Sequence, residues 1–326
     1  MKREVTLGVL VLGGALVMAC AGGEEAEPMA EAPAEAPAEA PAEAPAEAPP
    51  ENVVEVERLE DNLFVLRGGG GNSAVFITAD GVVLVDTKLA GWGQPLIDAI
   101  GELTSNPITT IINTHAHFDH VDGSVEFPAT VEFVAHENTQ RLMRENNAVR
   151  GIQSEPRSSP FDGDDGVGIP ERTFSDTLTL GSDGDTVELH YFGRAHTGGD
   201  TWVEFPSLRT VHAGDAFPNT MVPIMDSNNG GSGVDYPETL RKASEGLTDI
   251  DRVITGHGPV MTPDDLSAYA DFVAGFVSAA QAAKAAGTSA ADFVAGWEPS
   301  GDYADYTKGP AERLTVYVQD IYDATE

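Results

Sequence analysis

The 326-residue sequence predicts an α/β fold in which two sheets pack as a sandwich and helices cover the outer faces. Short runs rich in valine, isoleucine and phenylalanine alternate with turn residues, which is typical of strands. The order of elements, strands followed by a helix, a strand and another helix, occurs twice along the chain. Two similar halves of this kind can each bury one face of a sheet against the other. We therefore expect one large folded domain over residues 52–326.

The first half begins with four short apolar runs separated by turn residues such as Asp80-Gly81. These runs are predicted to form consecutive antiparallel strands because tight turns connect neighbouring strands of a sheet. The predicted strands cover residues 53–59, 62–67, 73–78 and 82–86. A helix over 94–103, strands over 108–113 and 131–135, and a helix over 138–146 complete this half.

The second half is predicted to contain strands over 177–180, 186–192, 201–205, 210–212 and 252–255, a helix over 237–246, and further helices after Thr262. Thr262 and Pro263 form a typical helix start, with an N-cap hydroxyl and a proline at the first position. Two long segments, 148–172 and 217–236, show no periodicity. Loops of that length inside a domain are usually functional, so we expect both to contribute to the wall of a substrate pocket.

The first 19 residues have a short basic start, an apolar run and a small residue, as in a secretory signal peptide. Cys20 is the only cysteine of the chain, and Val17-Met18-Ala19-Cys20 resembles a bacterial lipobox. The resemblance implies that Cys20 is lipidated, and several acyl chains anchor a protein stably to a membrane. Ala21 stands where an inner-membrane retention signal would have an aspartate, which points to the outer membrane. We expect an exported protein that is lipid-anchored in the bacterial cell envelope; an ordinary signal peptide cut nearby is the alternative.

Residues 20–51 are expected to form the lipid anchor and a disordered linker rich in Glu, Ala and Pro, because regular prolines block a helix and little can be buried. The whole chain carries 53 acidic and 18 basic residues, a net charge of −35. Such a charge repels nucleic acid. The expected partners are therefore a small-molecule substrate and, through Cys20, a membrane, but no nucleic acid.

A dense group of histidines follows the predicted strand 108–113 directly, in the segment Thr114-His115-Ala116-His117-Phe118-Asp119-His120. Three imidazoles and a carboxylate are poor material for a core, but imidazole nitrogen and carboxylate oxygen suit zinc. A surface histidine cluster is the alternative. Three further groups, His196, Asp215 and His257, each come just after a predicted strand and beside glycine, which lets backbone approach closely.

These motifs together, over about residues 63–266, resemble the metallo-β-lactamase fold superfamily. The resemblance implies a four-layer αβ/βα sandwich and a pair of zinc ions. The implied ligands are His115, His117 and His196 for one ion, Asp119, His120 and His257 for the other, and Asp215 as a bridge. Asp86, at the end of the strand 82–86, matches the carboxylate that supports the first histidine motif, a role that orients ligating imidazoles. His136 and His212 are left open between structural and supporting roles.

The resemblance implies a binuclear zinc hydrolase that acts on an ester, lactone, thioester or amide. Two zinc ions generate a hydroxide at neutral pH, and Asp119 is the expected catalytic residue, which orients it and passes on its proton. A lipoprotein metallo-β-lactamase and a non-catalytic metal-binding surface lipoprotein are the alternatives. The acidic excess disfavours anionic substrates, so neutral esters or lactones are expected to be hydrolysed faster than glutathione thioesters or β-lactams.

Overall fold

A computed structural model of the chain describes residues 52–162 and 166–325, which form one compact unit. The predicted signal peptide, the linker over 20–51 and Cys20 lie outside the described residues. Within the described ranges, no helix is both long and apolar enough to cross a membrane.

Among the described residues, the first sheet has seven strands that lie side by side in chain order. They are β1 (Glu55–Arg58), β2 (Leu63–Arg67), β3 (Ser73–Ile77), β4 (Val82–Val85), β5 (Ile108–Asn113), β6 (Glu132–His136) and β7 (Arg172–Phe174). Neighbours from β1 to β4 pair antiparallel, and β4 to β7 pair parallel. All four residues of β4 are buried, as expected for a strand covered on both faces.

The second sheet has six strands, in the order β13, β12, β11, β10, β9, β8. They are β8 (Thr177–Leu180), β9 (Val187–His190), β10 (Trp202–Phe205), β11 (Thr210–His212), β12 (Arg252–Ile254) and β13 (Val260–Met261). β11 and β12 pair parallel, and the other neighbours pair antiparallel. Each sheet therefore contains parallel neighbours, β11 and β12 in this sheet and β4 to β7 in the first.

The helices are α1 (Gly93–Leu103), α2 (Phe118–Val121), α3 (Glu137–Glu145), α4 (Tyr236–Gly246), α5 (Pro263–Ala285), α6 (Ala290–Gly296) and α7 (Ala311–Ala324). At the start of α5, Thr262 makes the predicted N-cap, because its side chain accepts a hydrogen bond from the backbone of Asp265. This cap fixes the point at which the chain leaves the second sheet.

The two sheets pack face to face. Phe76 of β3 and Phe205 of β10 meet edge to face, with ring centroids 5.2 Å apart, inside a cluster built from both sheets. On its other face, the first sheet buries Ile100 of α1. The second sheet buries Leu240 of α4 and Phe276 of α5. The layers are therefore helix, sheet, sheet and helix, which confirms the predicted four-layer αβ/βα sandwich.

The structure corrects the ends of both predicted loops and adds short elements that the sequence pattern did not reveal. The predicted loop 217–236 is wrong at its last residue, because Tyr236 begins α4. The predicted loop 148–172 is wrong at its end, because Arg172 begins β7 and pairs with Val134 of β6. β7 has three residues and β13 only two. Runs this short show no measurable alternation, so their pairing is decided by the neighbouring strands.

Candidate metal centre

The ends of the central strands bring the predicted site residues to one edge of the sandwich. Asp86 follows β4 and the histidine motif follows β5, while Asp215 follows β11 shortly and His257 follows β12. The carboxyl ends of parallel strands meet at the same edge, where ligands bind in open α/β sheets. His196 reaches the same edge from the segment between β9 and β10. Both sheets therefore contribute side chains to a single site.

All seven predicted ligands belong to groups whose donor atoms lie within 4.8 Å of one another. The groups are His115, His117 and His196; His115, His120 and Asp215; and Asp119, His120 and His257. Asp215 lies between the first and the third of these groups. Its Oδ2 is 3.6 Å from Nε2 of His196 in the first and 3.2 Å from Nε2 of His257 in the third. Asp215 is therefore close to the imidazoles of both groups.

The hydrogen-bond partners of His117 and His196 indicate which ring nitrogens carry protons. Nε2 of His117 lies 2.7 Å from Oδ2 of Asp226, and Nδ1 of His196 lies 2.9 Å from the carbonyl oxygen of Ile224. Both partners only accept, so these nitrogens donate and the others carry lone pairs. The two remaining nitrogens, Nδ1 of His117 and Nε2 of His196, face each other at 2.8 Å. Two lone pairs at that distance repel unless a cation lies between them.

Asp86 orients the other two histidines of the motif. Its Oδ2 lies 2.7 Å from Nδ1 of His120 and accepts a 2.7 Å hydrogen bond from the hydroxyl of Thr114. The hydroxyl oxygen of Thr114 is in turn 3.0 Å from Nδ1 of His115. Both imidazoles therefore direct Nε2 into the cluster. Asp86 has a φ of 61°, a left-handed conformation that is rare for a non-glycine residue and that is found at functional sites.

Two buried atoms at the centre have no hydrogen-bond partner among the described residues, Nε2 of His115 and Oδ1 of Asp215. Oδ1 of Asp215 is 3.3 Å from Nε2 of His120 but without hydrogen-bond geometry. Buried polar atoms are almost always paired. Unpaired imidazole and carboxylate atoms that converge on one point match the donors preferred by a divalent metal such as zinc, so the residues present fit a metal centre.

Electrostatics at the cluster also favour a cation. Burial holds the pKa of His115 well below its usual value and lowers that of His196 to about 4, so both rings are neutral and able to bind a metal. Burial opposes ionisation of Asp215, but His257 and His120 outweigh it and hold its pKa well below the usual value. For His120, the effect of Asp215 and Asp86 exceeds that of burial and raises the pKa. The cluster therefore combines neutral imidazole donors with an ionised carboxylate, which is a suitable environment for a cation.

The sequence did not reveal Asp226, a fully buried carboxylate in the loop 217–236. Besides contacting His117, it accepts a 3.0 Å hydrogen bond from the backbone of Arg150 and a 2.6 Å hydrogen bond from the side chain of Asn229. Its contact with His117 spans 109 residues of sequence. An aspartate in a loop rich in Gly, Asn and Ser usually serves a turn, so nothing local distinguished it.

A buried lysine supports the site from the other side. Nζ of Lys88 donates hydrogen bonds to the carbonyls of Leu66 and Gly71, and burial lowers its pKa to about 7. These bonds hold the glycine segment 68–71 against the metal motif. A Cβ atom on Gly71 would lie 2.1 Å from the ring of His120. Glycine is required there because the backbone passes too close to the imidazole for any side chain.

His136 and His212, whose roles the sequence left undecided, both have structural roles. Nδ1 of His212 accepts a hydrogen bond from the backbone of Gly214, and Nε2 lies 3.1 Å from the carbonyl oxygen of Asn72. His212 thereby fixes the turn that carries Asp215. His136 caps α3 by accepting from the backbone of Asn138.

A cavity of about 280 Å³ opens beside the cluster. Both predicted loops line it, the first through Val149 and Ile152 and the second through residues 218–224. The remaining lining comes from the cluster and its motif: His117, Phe118, Asp119, Asp215 and His257. The metal ligands therefore face a space that a small molecule can enter.

Known proteins of several activities share parts of this chain's sequence. Metallo-beta-lactamase type 2 of Bacteroides fragilis is 21% identical over 217 residues, which cover 63% of this chain and 79% of that protein. The alpha subunit of 2,4-dinitroanisole O-demethylase of Nocardioides sp. (strain JS1661) is 33% identical over 139 residues, 41% of this chain. This chain matches only 38% of the length of that subunit.

Solved structures and a family model place the fold. A metallo-beta-lactamase from Pontibacter korlensis superposes with a TM-score of 0.56 and 19% identity over 68% of this chain and 99% of that one. The inverting sec-alkylsulfatase Pisa1 from Pseudomonas sp. gives 0.65 and 16% over 83% of this chain and 50% of that one. The family model described as the metallo-beta-lactamase superfamily matches residues 66–257. The chain therefore belongs to the metallo-β-lactamase superfamily.

Proposed function

We propose that this protein is a binuclear zinc hydrolase that cleaves an ester, lactone, thioester or amide. The observation that carries the proposal is the convergence of imidazole lone pairs on one point, with Nδ1 of His117 and Nε2 of His196 only 2.8 Å apart. The His and Asp clusters, together with membership of the superfamily, support divalent metal binding and hydrolysis. Zinc is proposed because its ligand preference matches a donor set rich in imidazole.

The chain's residues divide into two proposed sets of ligands. His115, His117 and His196 would hold one ion, Asp119, His120 and His257 the other, and Asp215 both. Two such ions would supply Lewis acidity at this site, toward water and toward a substrate carbonyl group. Asp86 and Asp226 fix the orientation of the imidazoles, which keeps the donors in place without a rearrangement during the reaction.

Asp119 is the proposed catalytic residue. Its Oδ2 lies 3.4 Å from Nε2 of His257, and the side chain also lines the cavity. An oxygen in this position is close to both the ligand cluster and the substrate space. It can accept a proton from the attacking water and hand it to the leaving group, which is general acid–base catalysis.

The named relatives include a β-lactamase, an O-demethylase and an alkylsulfatase. One fold with several activities supports hydrolysis in general but no particular substrate. A lipoprotein β-lactamase remains the second candidate because of the Bacteroides relative. The commonest β-lactamases have a cysteine where this chain has Asp215. This difference favours an ester or lactone hydrolase over a β-lactamase.

We also propose that residues 1–19 direct export, that lipid on Cys20 anchors the protein in the bacterial cell envelope, and that 20–51 form a tether for the domain over 52–326. The support is the lipobox-like sequence around Cys20 and the proline-rich composition that follows it. In this arrangement, substrates would be molecules that reach the envelope.

Hydrolysis of phenyl acetate tests the proposed activity and separates it from a non-catalytic binding protein. We expect turnover with zinc, loss of turnover after chelation, and recovery when zinc is added back. Asp119→Asn should lower kcat by about 100-fold, a typical loss for a general acid or base. Asp98→Asn, at an exposed position of α1, is the matched control and should leave kcat unchanged. If the protein contains two zinc ions per chain but hydrolyses no ester, lactone or β-lactam, only the non-catalytic binding role is left.

A further inference from the structure

The cavity beside the metal cluster has an apolar wall. Six side chains form it: Phe118, Val149, Ile152, Pro218, Met221 and Ile224. Its polar groups belong to the proposed metal site alone. A substrate group that enters this space therefore leaves water for an apolar surface, which favours hydrocarbon and penalises charge.

The cavity is small. About 280 Å³ lies just below the usual range for small-molecule pockets, roughly 300–1,000 Å³. The space suits a single short alkyl or aryl group next to the bond that reacts.

No lysine or arginine lines this cavity among the described residues. The loop 148–172 contains three arginines, and each is engaged elsewhere by a carboxylate. Arg150 makes a bidentate pair with Asp320 of α7, at 2.7 and 3.0 Å. Arg157 pairs with Asp122, and Arg172 with Glu132. Each of these guanidinium groups already has a carboxylate partner, and none of them lines the cavity.

One more arginine lies near the site, in a second, open groove that it shares with His257. Arg67 donates hydrogen bonds to the side chain of Asn72 and the carbonyl of Gly258, and it also contacts Glu57 at 2.5 Å. Its charge is thus used to fix the loop that carries His257. A substrate carboxylate would have to compete with Glu57 for it.

From these observations we propose that the cavity binds an uncharged apolar group of the substrate and rejects substrates with a carboxylate at that position. The inference rests on the proposed hydrolase activity and names its substrate class: neutral esters or lactones with a short alkyl or aryl substituent. The apolar wall supplies binding, and the described residues that line it include no lysine or arginine to pair with a carboxylate on that side of the cavity.

The test compares two esters of similar size, phenyl pentanoate and the monophenyl ester of succinic acid, with the zinc-loaded protein at fixed salt and after subtraction of spontaneous hydrolysis. We expect kcat/KM to be at least tenfold higher for the neutral ester, which is about 1.4 kcal/mol of transition-state stabilisation. Equal values, with clear hydrolysis of both, would overturn the inference and leave the proposed hydrolase intact.

A charge placed at the mouth of the cavity should change this preference. Ile152 is 42% exposed, so an arginine there can reach solvent while its charge faces the cavity. Ile152→Arg should lower the ratio of kcat/KM for the neutral ester to kcat/KM for the anionic ester at least threefold. Val56→Arg is the matched control because Val56 is similarly exposed, at 44%, but does not line the cavity. An equal change in both variants would indicate a general effect of net charge and contradict a local one.

A binding measurement tests the cavity independently of turnover. The neutral dye N-phenyl-1-naphthylamine should bind the metal-free protein with increased fluorescence and be displaced by 1-hexanol more readily than by hexanoate. Met221→Trp should weaken dye binding about tenfold, because the larger side chain fills the space. If no ester is hydrolysed at all, the proposed function fails, and the dye alone decides the cavity: selective displacement supports it, and no binding, or equal displacement by both ligands, overturns it.

Discussion

His117 and Asp226 are joined by a 2.7 Å contact between Nε2 of the ring and Oδ2 of the carboxylate, and both side chains are buried. The carboxylate fixes the ring so that Nδ1 points at His196. Partners of this kind, one step removed from the metal, orient its ligands and tune their basicity. The loop 217–236 therefore acts on the metal centre as well as on the cavity.

Asp226→Asn should weaken one of the two proposed metal sites. An amide has a single acceptor oxygen and cannot replace a carboxylate that contacts His117, Arg150 and Asn229. We expect affinity at the site of His115, His117 and His196 to fall about 10- to 100-fold. Competition with a chromophoric chelator measures it, and Asp235→Asn, at a half-exposed position, is the control. Two ions held with unchanged affinity would contradict this role.

Metal content is the simplest test of the proposed pair of ions. Protein purified without chelator should contain about two zinc ions per chain, because seven donor residues converge in overlapping groups. Elemental analysis measures this directly. Iron in place of zinc, or consistently less than one metal per chain, would contradict the assignment.

Asp215→Ala should loosen metal binding and remove most activity without unfolding the domain. Asp215 lies between the two groups of imidazoles, so its loss removes the anion shared by both proposed ions. Substitution of a residue that only supports a metal ligand typically lowers metal affinity or activity about 10- to 100-fold. For the shared ligand itself we therefore expect kcat/KM to fall by at least about 100-fold. Zinc content, steady-state kinetics and circular dichroism together check this. Wild-type turnover by a variant that has lost one metal would exclude a bridging role.

The turn after His196 should make stability depend on pH. Asp200 is buried and accepts hydrogen bonds from the backbone and hydroxyl of Thr197, yet burial raises its pKa from 3.8 to about 6. The folded state thus favours the protonated form. Its contribution to the free energy of unfolding is fully present below pH 4 and is lost as the pH rises through 6, by up to about 3 kcal/mol.

Urea unfolding of metal-free wild type and Asp200→Asn between pH 4 and 7 measures this contribution. The amide does not titrate, and the difference between the two proteins cancels other groups. The wild type should lose stability relative to the variant as the pH rises over this range. A difference that stays constant with pH would show that Asp200 keeps its ordinary pKa.

Cys20→Ser should release the protein from the membrane fraction or block its maturation. The expectation follows from the lipobox-like sequence, since only the cysteine sulfur can carry the lipid. Fractionation of cells that produce either form, with the mass of the mature protein, provides the measurement. Unchanged fractionation and processing would mean that Cys20 is not the anchor.

The sequence was sufficient for the fold and for the identity of the clustered residues because both are written in local patterns. Only one or two residues separate the ends of strands from His115 and His257, so the position of these residues at one edge follows from the topology. Asp226 and Lys88 were missed for different reasons. The role of Asp226 depends on a contact 109 residues away. Lys88 is fully buried, against the strong tendency of lysine to be exposed.

The charge of the pocket also depended on tertiary structure. The sequence placed Arg150, Arg157 and Arg172 in a loop beside the site, where they could have converged on a substrate. Their partners come from α7, from the turn after α2 and from β6, and none of these pairs is visible in local sequence. The composition therefore predicted the negative electrostatic potential of the domain. Which arginines are paired with a carboxylate could be seen only in the folded structure.

The ligand atoms come from loops of both sheets, and this has a consequence for the life of the protein. Ions held as proposed would tie the two halves together and bind only the folded chain. Each ion present at 1,000 times its dissociation constant then adds about 4 kcal/mol to the free energy of unfolding. Zinc scarcity would therefore act twice, by silencing the enzyme and by exposing it to proteolysis. The abundance of the protein should follow the zinc supply of its surroundings even when its synthesis is constant.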